Sequence, residues 1–351
     1  MQHSIFYKSV IIFLSFLSIA SCGNRGSSQK DGGDASNISP NSVYYWKTRF
    51  AINEEESSFL KANSIGRIYL RLFDVGVEDG CAIPIATTAF ESAKPAGIEI
   101  VPVVFITVRA LEWAKDEKGG LEEFARKIVT RASNMCDYNG LGPVRELQLD
   151  CDWTASTRED YYALCREVGA ILRANGIALS STIRLHQLRQ SAPPVDRGVL
   201  MLYNTGSFRD PGTDNSILSE KDASAYLKGN KPVKYGIPLD FAYPAFSWGV
   251  WFRGNTFMTL LHTSDYADAD LYRQCDDGCF EVVKDHVLEG HQLQTLDRIR
   301  VEHPSFKEIQ SVKALVAKGF PGGEHRNIIY HLDSNNLKDY TADEIKSIFD
   351  D

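Results

Sequence analysis

The stretch Glu146-Leu147-Gln148-Leu149-Asp150-Cys151-Asp152-Trp153-Thr154 decides how the rest of the chain is read. In a β-strand successive side chains point to opposite faces, so Gln148, Asp150 and Asp152 share one face and Leu147, Leu149 and Cys151 the other. Burying a carboxylate is costly unless it is paired or hydrogen-bonded. A polar file on an apolar-backed strand therefore marks a face that meets a polar cavity, as at the top of a barrel strand in an enzyme. The competing reading makes Asp150 or Asp152 a helix cap for the helix starting near Thr157. Ser156 and Glu159 have capping-box spacing, so that helix needs neither aspartate.

Working outward, eight short apolar strands can be counted: Val43 to Arg49, Arg67 to Phe73, Ile98 to Thr107, Glu146 to Asp152, Ile177 to His186, Gly198 to Asn204, Val233 to Phe241 and Asn327 to Asp333. Between them lie amphipathic stretches, Glu54 to Ala62, Leu121 to Ser133, Thr157 to Ala174, Ser219 to Lys228 and Ser305 to Lys318. Strand alternating with helix means a mainly parallel sheet, and eight such repeats predict a closed (β/α)8 TIM barrel, class α/β, with a long insertion after strand seven. No glycine-rich phosphate loop follows the first strand, which counts against a dinucleotide fold.

A barrel of this kind keeps its active site at the C-terminal ends of its strands, so polar residues should gather there. Strand two offers Arg71 with Asp74 at its exit, strand five Arg184 and His186, and strand six Tyr203 and Asn204. Strand seven offers Asp240, and strand eight His331 and Asp333. Any one of these could serve only as an ion pair filling the interior. Their common position makes the case collectively. The insertion opens with Trp248 and Trp251, and aromatic platforms edged by hydrogen-bonding groups suit the C–H faces and hydroxyl rims of sugars. Packing of the insertion onto the barrel is the alternative use of those rings.

The N-terminus has the form of a secretory signal, residues 1–21: Lys8 supplies positive charge, and the apolar run Val10 to Ala20 is short for a bilayer and broken by serines. Ile19-Ala20-Ser21-Cys22 looks like a bacterial lipobox, which would make Cys22 the lipid-modified start of the mature chain, exported and anchored to the cell envelope. Residues 22–41 are rich in Gly, Ser, Asn and Asp and are expected to be a flexible tether. Residues 42–351 are then the barrel domain, expected to be monomeric. A net charge of −8 with scattered Lys and Arg gives no basic stripe and argues against a nucleic-acid partner. Of the cysteines besides Cys22, Cys275 and Cys279 flank Asp276-Asp277-Gly278 and are placed to close a small loop by a disulfide, with zinc the weaker alternative.

Two motifs now bear on family. Asp150-Cys151-Asp152 and Met201-Leu202-Tyr203-Asn204 resemble the strand-four Asp-x-Asp-x-Glu and strand-six Met-x-Tyr-Asp signatures of family 18 glycoside hydrolases, the chitinase and endo-N-acetylglucosaminidase group of TIM barrels. The chain also resembles bacterial lipoproteins expected to share that barrel. The resemblance implies that Asp152 orients the substrate acetamido group, that Asp150 supports it and that Tyr203 hydrogen-bonds the same group. Asn204 stands where the family has aspartate, and Thr154 where it has the proton-donating glutamate. A threonine hydroxyl is no general acid near neutral pH.

Two expectations follow. In one the chain is a glycoside hydrolase, with Asp152 as base, nucleophile or stabiliser and Asp240, Asp333 or Asp74 as donor. In the other it has lost catalysis and binds an oligosaccharide or polysaccharide through Trp248, Trp251, Tyr203 and the polar strand ends. No cofactor or metal is expected, since His186 and His331 lack His-x-His or His-Glu-x-x-His spacing, and no Gly-x-Ser-x-Gly elbow indicates a serine hydrolase.

Overall fold

The computed structural model describes residues 41–350 apart from 118–119, 228–231, 264 and 276–277. The signal segment, Cys22 and all but the last residue of the tether lie outside the described residues, as do Asp276 and Asp277.

The barrel strands are β1 (Ser42–Tyr45), β2 (Arg67–Glu78), β3 (Glu99–Ile106), β4 (Glu146–Asp150), β5 (Ala178–Arg184), β6 (Arg197–Met201), β7 (Leu239–Pro244) and β8 (Asn327–Tyr330). Each pairs in parallel with the next, and β1 pairs with both β2 (Val43↔Ile68) and β8 (Val43↔Ile329), which closes the ring. Closure leaves the barrel no free edge.

Helices α1 (Glu54–Ala62), α2 (Val108–Asp116), α3 (Gly120–Tyr138), α4 (Arg158–Arg173), α5 (Glu220–Leu227) and α6 (Phe306–Gly319) connect the strands, and α7 (Ser334–Leu337) and α8 (Ala342–Phe349) follow β8. Two crossovers depart from strict alternation. Strand Cys81–Ile85 runs antiparallel to β2 where a helix was due, and a 3₁₀ turn, Leu185–Arg189, joins β5 to β6. Helix α4 buries Tyr161, Leu164, Cys165, Val168 and Leu172 against the barrel wall, as the 3.6-residue spacing requires. The Ser156–Glu159 capping box does not form. Thr157 is the N-cap residue, and Ser156 Oγ instead meets Thr154 Oγ1 at 2.8 Å.

The insertion after β7 is a five-stranded antiparallel sheet plus a small hairpin, with its own core of Trp251, Leu261, Tyr266, Tyr272, Val282, Leu293 and Ile299. Cys275 and Cys279 face each other at the end of one of its hairpins. The Cys275 N–H donates to the Cys279 carbonyl (2.6 Å), and both thiols are free rather than joined as expected. Among the described residues no helix is long and apolar enough to cross a membrane.

Candidate functional site

The C-terminal ends of the strands form the mouth. Strict alternation would set Arg71 and Asp74 on opposite faces of β2, but the β2–β3 register shifts between Arg71 and Phe73. That irregularity re-aims the strand. Arg71 Nε then donates to Asp74 Oδ1 (2.8 Å), and a second N–H of the same guanidinium reaches the other oxygen. The Arg71 guanidinium also lies 5.4 Å from the Trp46 ring centre.

Strand β4 ends at Asp150, two residues earlier than the sequence suggested, so Asp152 sits on the exposed turn beyond it. Arg184, the last residue of β5, brings the two aspartates together. Its Nε donates to Asp152 Oδ1 (2.6 Å) and its Nη2 to Asp150 Oδ1 (3.1 Å), and Thr182 Oγ1 donates to the same Asp150 oxygen (2.5 Å). Burial, followed by the Asp152 charge, outweighs Arg184 and leaves the Asp150 carboxyl above its ordinary range. Burial opposes the charge on Arg184, but Asp150 and Asp152 more than restore it. Thr154 is exposed, engages only neighbours on its own turn, and presents no carboxyl group.

Beyond β6, Tyr203 stacks on Tyr330 with ring centres 4.6 Å apart, and Tyr330 packs against Trp46 and Phe246. Asn204 has φ +53°, a left-handed conformation that asparagine tolerates better than most residues, which suits it to this corner. His331 lines the cleft, and burial pushes its imidazole down to about 4. Asp333 caps α7 through Asn335 N (2.9 Å) and lies 3.4 Å from Lys47, which also pairs with the buried Glu56.

These groups line three hollows that share residues. The smallest, about 160 Å³, lies among Trp46, Arg71, Asp74, Asp150, Arg184 and Tyr203. A side hollow of about 250 Å³ lies among Asp152, Arg184, His186, Asn204 and Tyr226, and an outer one of about 540 Å³ reaches Trp248, His262, His331 and Asp333. Tyr203 and Asn204 line all three. A hollow of about 600 Å³ on the outer face of α3 is lined by no carboxylate, which makes it a poorer candidate for the chemistry of interest.

The mouth thus gathers Arg71, Asp74, Asp150, Asp152, Arg184, Tyr203, Asn204, Trp248, His331 and Asp333, with His186 on the 3₁₀ turn at its rim. Two expected site residues lie elsewhere. Asp240 is the second residue of β7, at the opposite end of the barrel, because this strand starts at Leu239 rather than Val233. There its buried carboxylate is held by Arg197 (2.8 Å) and Arg326 (3.0 Å), as an interior ion pair. Trp251 is buried in the insertion core and lines none of the three hollows. Trp46, Lys47, Phe246, His262 and Tyr330 line the mouth without having been singled out. Tyr330 was within reach of the reading, as the residue before His331 on a recognised strand.

Chains of known structure are similar to this one at low identity. The Bacillus cereus spore cortex-lytic enzyme SleL is 16% identical over 83% of this chain and 69% of its own, with a TM-score of 0.43. A class V chitinase from Nicotiana tobaccum is 12% identical over 84% and 95% (TM-score 0.48), and the chitinase-like agglutinin RobpsCRA from Robinia pseudoacacia 10% over 88% and 99% (TM-score 0.48). No protein-family model and no curated protein matches the chain.

Proposed function

We propose that the chain is a glycan-binding barrel of glycoside-hydrolase type that holds an oligosaccharide or polysaccharide at its mouth without cleaving it. The observation that carries this reading is the double engagement of Arg184. The Asp150 and Asp152 carboxylates are both tied to one guanidinium, and position 154, four residues beyond the end of the strand, has a hydroxyl instead of a carboxyl group. Glycosidic hydrolysis needs a protonated carboxylic acid able to reach the leaving oxygen. Asp74 is held by Arg71, and Asp333 is occupied by its cap and by Lys47. What remains is a polar cleft walled by Trp46, Tyr203, Tyr330, Phe246 and Trp248, a surface suited to sugar rings.

One observation favours hydrolysis instead: Asp150 is raised by burial and by its neighbour Asp152, as a proton donor would be. A glycan array with product analysis on the full chain separates the two. Retention of a glycan with no release of shorter products is expected. Turnover that disappears in Asp152→Asn would establish the hydrolase reading, and the absence of any retained glycan would end both.

The same proposal makes the protein an exported lipoprotein anchored at Cys22. The apolar run and the small residues before that cysteine support it. Fatty-acid labelling that is lost in Cys22→Ala is the expected result.

A further inference from the structure

The cations around the mouth fall into two groups. Lys47, Arg71 and Arg184 are each neutralised by carboxylates. Arg209 and Arg189 are not. Both are exposed, and among the described residues neither meets a carboxylate. Each is instead laid on aromatic rings beside the cleft. The Arg209 guanidinium lies 4.9 Å from the centre of the Phe257 ring and 5.6 Å from that of Phe208, which packs edge-on against Trp248 at 6.3 Å. Arg189 lies 5.1 Å from the ring of Tyr226, which lines the side hollow with Asp152 and Arg184, and it donates to the Ala225 carbonyl (3.3 Å). The adjacent Asp210 carboxylate is turned into its own loop, accepting from Gly212 N at 2.9 Å.

From this arrangement, and resting on the glycan-binding reading above, we infer that the bound glycan carries oxyanion groups, carboxylate or phosphate, which Arg209 and Arg189 clasp at its flanks. An arginine set against a ring is held in place, so less rotamer entropy is lost when a ligand binds. A guanidinium set against a ring keeps N–H donors on its edge, and although Arg189 commits one to Ala225, both arginines retain donors for the contact that carboxylate and phosphate accept. The net charge of −8 opposes an anionic ligand only at long range, because screening cuts such interactions off beyond about 8 Å at physiological salt.

The test is an array in which uronate-bearing and phosphate-bearing oligosaccharides stand beside their neutral parents. It is probed with the full chain and with Arg209→Ala/Arg189→Ala at low and physiological salt, a thermal melt serving as the folding control. The expected result is an acidic-over-neutral preference of about tenfold or more that weakens with salt and collapses in the double variant. The uronate and phosphate arms show which oxyanion is taken. Equal binding of acidic and neutral members, or a preference that survives both substitutions, would overturn this inference and leave the glycan-binding reading standing. Retention of no member of either kind would remove that reading and this inference with it.

Discussion

At the scale of single residues, the site turns on Arg184, whose side chain is 19% exposed beside an Asp150 that is only 3% exposed. Removing one partner of a buried ion pair leaves an uncompensated charge and costs about 3–5 kcal/mol. Arg184→Ala should therefore lower the urea midpoint by a corresponding amount. Adding Asp150→Asn should recover much of the loss, since the stranded carboxylate is then gone. A double variant no more stable than the single one would show that lost packing, not charge, is responsible. Alternation along the strands was enough to aim Arg184 and Asp150 at the mouth. It failed for Arg71 and Asp74, which meet only because the β2–β3 register slips by a residue between Arg71 and Phe73. A one-residue slip exchanges the faces of every residue beyond it.

At the scale of elements, the insertion is fastened to the loop after β6 by Glu302, which is 1% exposed. Its carboxylate accepts from Trp248 Nε1 (2.7 Å), from Arg300 Nε (2.7 Å) and from the Ser216 hydroxyl, while Arg300 also donates to the Asp210 carbonyl (3.0 Å). This network holds the Trp248 indole in the cleft wall and the Phe208–Arg209 segment beside it. Glu302→Ala should cost about 3–5 kcal/mol by leaving Arg300 buried and unpaired. Amides of residues 205–218 should lose hydrogen-exchange protection while those of β4 and β5 keep theirs. Unchanged protection in that loop would contradict the fastening role. The helices were readable because one face must be apolar at a fixed period, and α1 falls on the residues anticipated. Strand seven was misread because Val233 to Phe241 is apolar and short, a pattern that does not say where hydrogen bonding to neighbours begins. That error put Asp240 at the wrong end of the barrel.

At the scale of the molecule, the ring of eight strands and the insertion have separate apolar cores. Truncating a large buried aromatic costs about 3–5 kcal/mol. Trp251→Ala should thus strip exchange protection from the strands at 248–302 while the amides of β1 to β8 remain protected. Equal loss in both would mean that barrel and insertion unfold as one unit. Taken alone, the sequence determined the alternation of strand and helix, the polar strand ends and the absence of a carboxyl group at Thr154, because these are properties of local spacing and of side-chain identity. Only the tertiary structure decided which end of the barrel each acid occupies, that Arg184 holds both Asp150 and Asp152, and that among the described residues Arg209 and Arg189 meet no carboxylate. Strand register and ion pairing depend on partners tens of residues away in the chain, and no local pattern records where those partners come to lie.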